Sequence, residues 1–195
     1  MPKGALQLSV YELQLRIYQE MAMNLFTSFD GRIPRSTFWL GVLGLILISF
    51  LFIFLLGAML ASTGQIPRMV PFVISLVLLY PAAAITVKRL HDRNKPAMPW
   101  LLIFFLPGII SNFMKAFKID YTALDVKAVM ETGGMMGMGR MRSMFGMGEF
   151  EMLVPGSIAM LVSLASFVVG IWALIELGFL KGTTGENSFG PDPLG

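Results

Sequence analysis

Charge is missing from three stretches of the chain, Ser36–Pro67, Met69–Val87 and Met152–Ile175, and from a weaker fourth, Pro96–Met114. A helix crosses a hydrocarbon core with about 20 mostly apolar residues. The pattern therefore predicts an all-α, polytopic membrane protein with four hydrophobic helices. Their expected positions are about 38–61, 70–87, 100–113 and, for the last, Val154–Phe179. The third is short and carries Pro107-Gly108 at its middle, so it crosses with local thinning or is broken. Pro81 in the second is followed by Ala82, Ala83 and Ala84, small residues that let a neighbouring backbone approach. Along the last helix, Ala159, Ser163, Ser166, Gly170 and Ala173 form a stripe on which another helix can pack, internal packing being the simpler expectation.

Outside these runs the periodicity changes. Leu6, Val10, Leu13, Ile17 and Met21 recur at helical spacing beside Glu12, Arg16 and Glu20, which predicts an amphipathic N-terminal helix over 1–23. No cleavable signal is legible there, and an equally economical reading starts the chain at Met21 or Met23. The organisation expected is an extension over 1–23, a first membrane part over 24–113, an extramembrane insertion over 114–152 and a last helix with a Gly/Pro-rich motif over 153–195. A short helix, Tyr121–Met130, is expected within the insertion.

Composition agrees, with 55% of residues hydrophobic and only 14% charged, against about a quarter charged in soluble proteins. The net charge of +3 is what an excess of Lys and Arg on one membrane face produces, and no nucleic-acid motif competes with that reading. Lys3, Arg16, Arg32 and Arg35 precede the first helix, and Lys88, Arg89, Arg93 and Lys95 follow the second. Both regions are expected in the cytoplasm. The loop holding Arg68 and the insertion then lie outside, and the C-terminus returns to the cytoplasm.

With no cysteine and a single histidine, His91, thiolate chemistry and multi-histidine metal sites are excluded. The insertion carries Met130, Met135, Met136, Met138, Met141, Met144, Met147 and Met152. Soft thioethers bind Cu(I), but with no Cys or His to reinforce them a flexible or protein-contacting segment is the heavier reading. Gly133–Gly148 lacks the Lys-Ser/Thr end of a phosphate-binding loop.

Three local patterns remain. Phe29-Asp30-Gly31-Arg32-Ile33-Pro34-Arg35-Ser36-Thr37-Phe38-Trp39 precedes the first helix, and Lys88-Arg89-Leu90-His91-Asp92 ends the second. Gly182-Thr183-Thr184-Gly185-Glu186-Asn187-Ser188-Phe189-Gly190-Pro191-Asp192-Pro193 lies near the C-terminus. In this order, between these apolar runs, they resemble the DUF805 family of small bacterial inner-membrane proteins, over roughly Asn24–Leu106 and Ser163–Pro193. The chain departs from the family pattern at Lys88, where an arginine is usual, at Pro96–Trp100, and in its long insertion. The resemblance implies a fold and an inner-membrane location but no activity.

Arg32, Arg35, Arg89, His91, Asp92, Asn187 and Asp192 are the candidate site residues, and all fall at the cytoplasmic rim under the expected topology. A network in which Asp92 and Asp192 pair with arginines to pin helix ends is weighed above an anionic-headgroup or phosphate clamp built on Arg32 and Arg89. His91-Asp92 also matches the signature dipeptide of metal-dependent HD phosphohydrolases, but those need further histidines. Glu176 is the candidate intramembrane carboxylate. Its place shortly before Lys181 favours a rim pairing.

No nucleophile with a base, metal set or cofactor motif emerges. The expectation is a non-enzymatic scaffold, assembly factor or accessory subunit without a cofactor. Its expected partners are anionic membrane lipids and either another membrane protein or a second copy of itself. A small transporter or channel, or a lipid- or metal-sensing module, is the alternative.

Overall fold

The structure, a computed structural model, describes residues 12–16, 19–20, 23–60, 69–124 and 152–194. In chain order it contains α1 (Arg35–Leu60), α2 (Met69–Asp92), α3 (Trp100–Ala116), the strands β1 (Tyr121–Leu124) and β2 (Met152–Pro155), and α4 (Ser157–Ala173), which runs on into a π-helical turn, Leu174–Phe179. The amphipathic run through Leu6, Val10, Ile17 and Met21, the loop 61–68 and the Met/Gly-rich stretch 125–151 lie outside the described residues.

All four apolar segments are helical. Three stretches, Arg35–Leu56, Met69–Asp92 and Ser157–Phe179, are long and apolar enough to cross a membrane, whereas Trp100–Ala116 is shorter. Pro81 and Pro107 sit inside α2 and α3, which continue through them. Such prolines are tolerated where neighbouring groups take up the freed carbonyl.

Burial is inverted relative to a water-soluble protein. Phe50, Phe54 and Met59 on α1 are exposed, Phe54 by 72%, while Arg89 is 0% exposed and Asp92, Lys88 and Glu176 are buried. Apolar exposure on that scale is untenable in water. With lipid as the solvent it is the favourable arrangement, since the polar groups then find one another inside. This is the build of a helical membrane protein.

The chain divides into two compact units, one comprising residues up to Leu45, Leu78–Leu101 and Ile175 onward, the other Ile46–Val77 and Leu102–Leu174. In the first, α1 and α2 meet closely at Gly41, where a Cβ would lie 2.8 Å from Ile85 Cδ1. Ala84, Ile85 and Leu90 form its buried apolar centre.

In the second unit, α3 and α4 meet through small and aromatic side chains. Ser111 and Ser163 hydroxyls lie 3.3 Å apart, and Phe104 packs edge-on to Trp172 with centroids 5.7 Å apart. Ala159 is buried, so part of the small-residue stripe is taken up within the chain. At Gly170 a Cβ would meet nothing.

Tyr121 opens a strand rather than the expected helix. β1 pairs antiparallel with β2 in the register Tyr121↔Pro155 to Leu124↔Met152. Lys118 and Asp120 adopt positive φ angles of 54° and 57°, which ends the helical path, and Tyr121 and Thr122 suit a pleated strand. The last helix accordingly starts at Ser157, after Pro155 and Gly156, and not at Val154. Its first turn is capped from a distance. The Asp120 carbonyl accepts the Gly156 amide at 2.6 Å, and its carboxylate accepts the Ala159 amide at 2.7 Å.

Candidate functional site

The three sequence motifs converge in the first unit. Gly31, at φ +85°, turns the chain so that Arg32 points inward just before buried Ile33 and the start of α1. Arg32 Nη1 donates to the carbonyls of Gly185 (2.8 Å) and Gly190 (3.0 Å). Its Nη2 donates to the Thr183 carbonyl (2.6 Å) and hydroxyl (3.1 Å) and to Asp92 Oδ1 (3.1 Å). The guanidinium thus threads the C-terminal turn and ties it to the end of α2. Its Nε is buried without an acceptor.

Arg89, one turn before the end of α2, is the second hub. Its Nη1 pairs with Asp92 Oδ2 and reaches the Ile33 carbonyl. Its Nε donates to the Leu177 carbonyl (2.7 Å) and its Nη2 to that of Leu180 (2.6 Å). Trp39 Nε1 donates to the Gly178 carbonyl (3.1 Å). The carbonyls at the end of a helix have no intrahelical donor. Arg89 and Trp39 satisfy them here, which is what a π turn in a lipid-solvated chain requires. Close approach is built in. A Cβ at Gly178 would lie 2.5 Å from Trp39 Cζ2, and one at Gly182 would lie 1.9 Å from Asp92 Oδ2.

Asp92 therefore holds both arginines with its carboxylate. Its carbonyl accepts the Thr183 amide (2.8 Å) and hydroxyl (2.9 Å). Asn187 donates to the His91 carbonyl (2.9 Å) and the Thr183 hydroxyl (2.7 Å), and accepts the Phe189 amide (2.9 Å). His91 lies flat against Phe189, centroids 4.0 Å apart and planes within 5°. Its Nδ1 donates to the Gly31 carbonyl (3.3 Å). Asp192 accepts the amides of Gly185 (2.8 Å) and Leu194 (2.9 Å) rather than a guanidinium. The Leu194 and Gly185 amides, with the charge of Arg32 behind them, hold its carboxyl below the usual range.

Arg35 is exposed at the first residue of α1, and its side chain makes no hydrogen bond or ion pair among the described residues. Glu176 pairs with Arg93 Nε (2.9 Å) and Lys95 Nζ (2.5 Å), and not with Lys181. The π turn places Glu176 among the buried residues of the unit, where those two side chains reach it. Lys95 also sits 4.2 Å over the Trp100 ring. Lys88, which stands where the family pattern has arginine, donates to the carbonyls of Asn24 and Leu25.

Trp39, Thr183, Arg93 and Lys95 join this network although none is among the candidate site residues. The first two lie inside the motifs, so the motif spans themselves were the available signal. Among the described residues, no three His, Asp or Glu side chains gather to hold a metal. A cleft of 420 Å³ opens beside the network, lined among others by Arg35, Ser36, Arg89, Lys181, Thr184 and Asp192.

The fold and its buried polar network define a mostly helical membrane protein whose three motifs meet at one place. The match is specific: the model of a family described as proteins of unknown function, DUF805, covers residues 26–191, and the chain belongs to that family. It is similar to the uncharacterised protein YiiR of Escherichia coli K12, with 30% identity over 122 residues, 55% of this chain and 80% of that protein. The YiiR protein of Escherichia coli O157:H7 matches equally, with the same identity and coverage. No solved structure matches.

Proposed function

We propose that this chain is a non-enzymatic scaffold or accessory subunit of the bacterial inner membrane, with both termini in the cytoplasm. One observation carries the reading. Apart from the exposed Arg35, the candidate side chains of its motifs are spent on one another and on main-chain groups. Arg32 and Arg89 are occupied by Asp92 and by carbonyls of residues 177–190, and Asn187 by His91 and Thr183. A catalytic acid or nucleophile needs a free face toward substrate, and these groups have given theirs to holding helix ends together.

Glu176, neutralised by Arg93 and Lys95, is likewise better suited to anchoring than to carrying protons along a path. The cationic clusters before α1 and after α2 support the cytoplasmic placement. The partners proposed are membrane lipids and a second membrane protein or another copy of the chain.

Affinity purification from native membranes in mild detergent tests the reading. A stoichiometric partner that persists across detergents is the expected result. A chain recovered alone in every detergent, or ion or solute flux through the purified protein in proteoliposomes, overturns it. Reporters fused beyond Lys95 are expected to read out on the cytoplasmic side.

A further inference from the structure

The cleft beside the network holds the cations that the network leaves over. Arg89 contributes only its field, because its donors are committed to Leu177, Leu180, Ile33 and Asp92. Arg35 and Lys181 differ. Both residues line the cleft, both are exposed, and neither side chain is paired among the described residues. Asp92 in the lining is neutralised by its arginines, while Asp192, held by two amides, keeps its charge and offsets one of the two free cations. The charged groups of the lining, Arg35, Arg89 and Lys181 against Asp92 and Asp192, leave the cleft with a net positive charge.

The hydrogen-bond donors agree with the charge. α1 begins at Arg35, and its first intrahelical bond runs from the Phe38 amide to the Pro34 carbonyl. The amides of Arg35, Ser36 and Thr37 meet no acceptor among the described residues. Pro34 has no side-chain oxygen to cap them, and the first turn contains no acid. The Ser36 and Thr184 hydroxyls, also in the lining, are free in the same sense. At 420 Å³ the space falls within the range of ligand pockets, about 300–1,000 Å³.

We infer that this cleft binds a phosphate group, seated between Arg35 and Lys181 with the first-turn amides and the Ser36 hydroxyl donating to its oxygens. The group belongs either to an anionic lipid headgroup or to a free phosphate. Arg32 and Arg89 are not the clamp, because Arg32 is not among the residues that line the cleft and the donors of Arg89 are consumed inside. The inference stands apart from the scaffold reading, since a scaffold or a transporter can equally carry such a site.

The full-length chain in detergent micelles is titrated with inorganic phosphate, with short-chain phosphatidic acid and phosphatidylglycerol, and with short-chain phosphatidylcholine as the zwitterionic control. Native mass spectrometry or calorimetry reads the binding. Binding of the anionic lipids alone assigns a headgroup, and binding of inorganic phosphate assigns a free ligand. Either is expected to weaken by about tenfold or more in Arg35→Gln/Lys181→Gln, while Lys115→Gln binds as the parent does.

Ser36→Asp separates this from a structural effect. An acid in the first turn favours the helix but places negative charge in the cleft, so folding is expected to hold while binding falls. Undiminished binding in either folded variant overturns the inference. So does phosphatidylcholine bound as well as phosphatidylglycerol, or a parent chain that binds none of the anions.

Discussion

Asp92 is held by Arg32 on one carboxylate oxygen and by Arg89 on the other, and its value lies in being ionised where three segments meet. Neutralising it leaves two buried guanidinium groups without their counter-charge. Removing one partner of a buried pair costs about 3–5 kcal/mol, whereas the pair as a whole adds less than its Coulomb attraction implies, because both charges were desolvated. Asp92→Asn is therefore expected to lower the unfolding midpoint of the detergent-solubilised protein sharply and to release the C-terminal turn to proteolysis. Thr183 shows why the turn follows, since its amide and hydroxyl are both held by the Asp92 carbonyl. An unchanged midpoint in Asp92→Asn removes the network from the account of stability.

At the scale of elements, α4 depends on a residue that precedes it by a long stretch of chain. Asp120 supplies the cap that Gly156 lacks. Asp120→Ala is expected to destabilise the first turn of α4 by about 1 kcal/mol, seen as faster amide exchange at Ala159 with little change at the far end. The helices themselves were legible because uncharged runs of spanning length have few other uses. The strand at Tyr121 was not legible, because its pairing partner, Met152–Pro155, lies beyond the insertion and a short apolar-polar run reads as helix or strand with equal ease. The π turn was hidden for a similar reason, since Leu174–Phe179 looks like ordinary apolar helix until Arg89 and Trp39 arrive to take its carbonyls. Candidate residues were found through the motifs, but their division of labour was not. Arg32, Arg35 and Arg89 look alike in sequence, and only the backbone groups around them distinguish buried hubs from the exposed Arg35.

For the molecule as a whole, the pairing Leu124↔Met152 brings together, in the second unit, the two residues that flank 125–151. Loop-closure cost grows slowly with length, so a connection between paired strand ends can be shortened. Replacing 125–151 by Asn-Gly, a preferred two-residue hairpin turn, is expected to leave helix content by circular dichroism and resistance to carbonate extraction unchanged. Loss of membrane retention in that variant sinks the expectation. The network has a different temporal property. Its contributors sit near residues 32–33, 89–92 and 177–190, so a ribosome delivers the two guanidinium hubs long before most of their carbonyl acceptors exist. During translation those cations have only Asp92, the Ile33 carbonyl and headgroups or water to rest on, and the network closes when residues 177–190 emerge. A nascent chain cut short before Leu177 is left with the polar interior of a protein and nothing to close it.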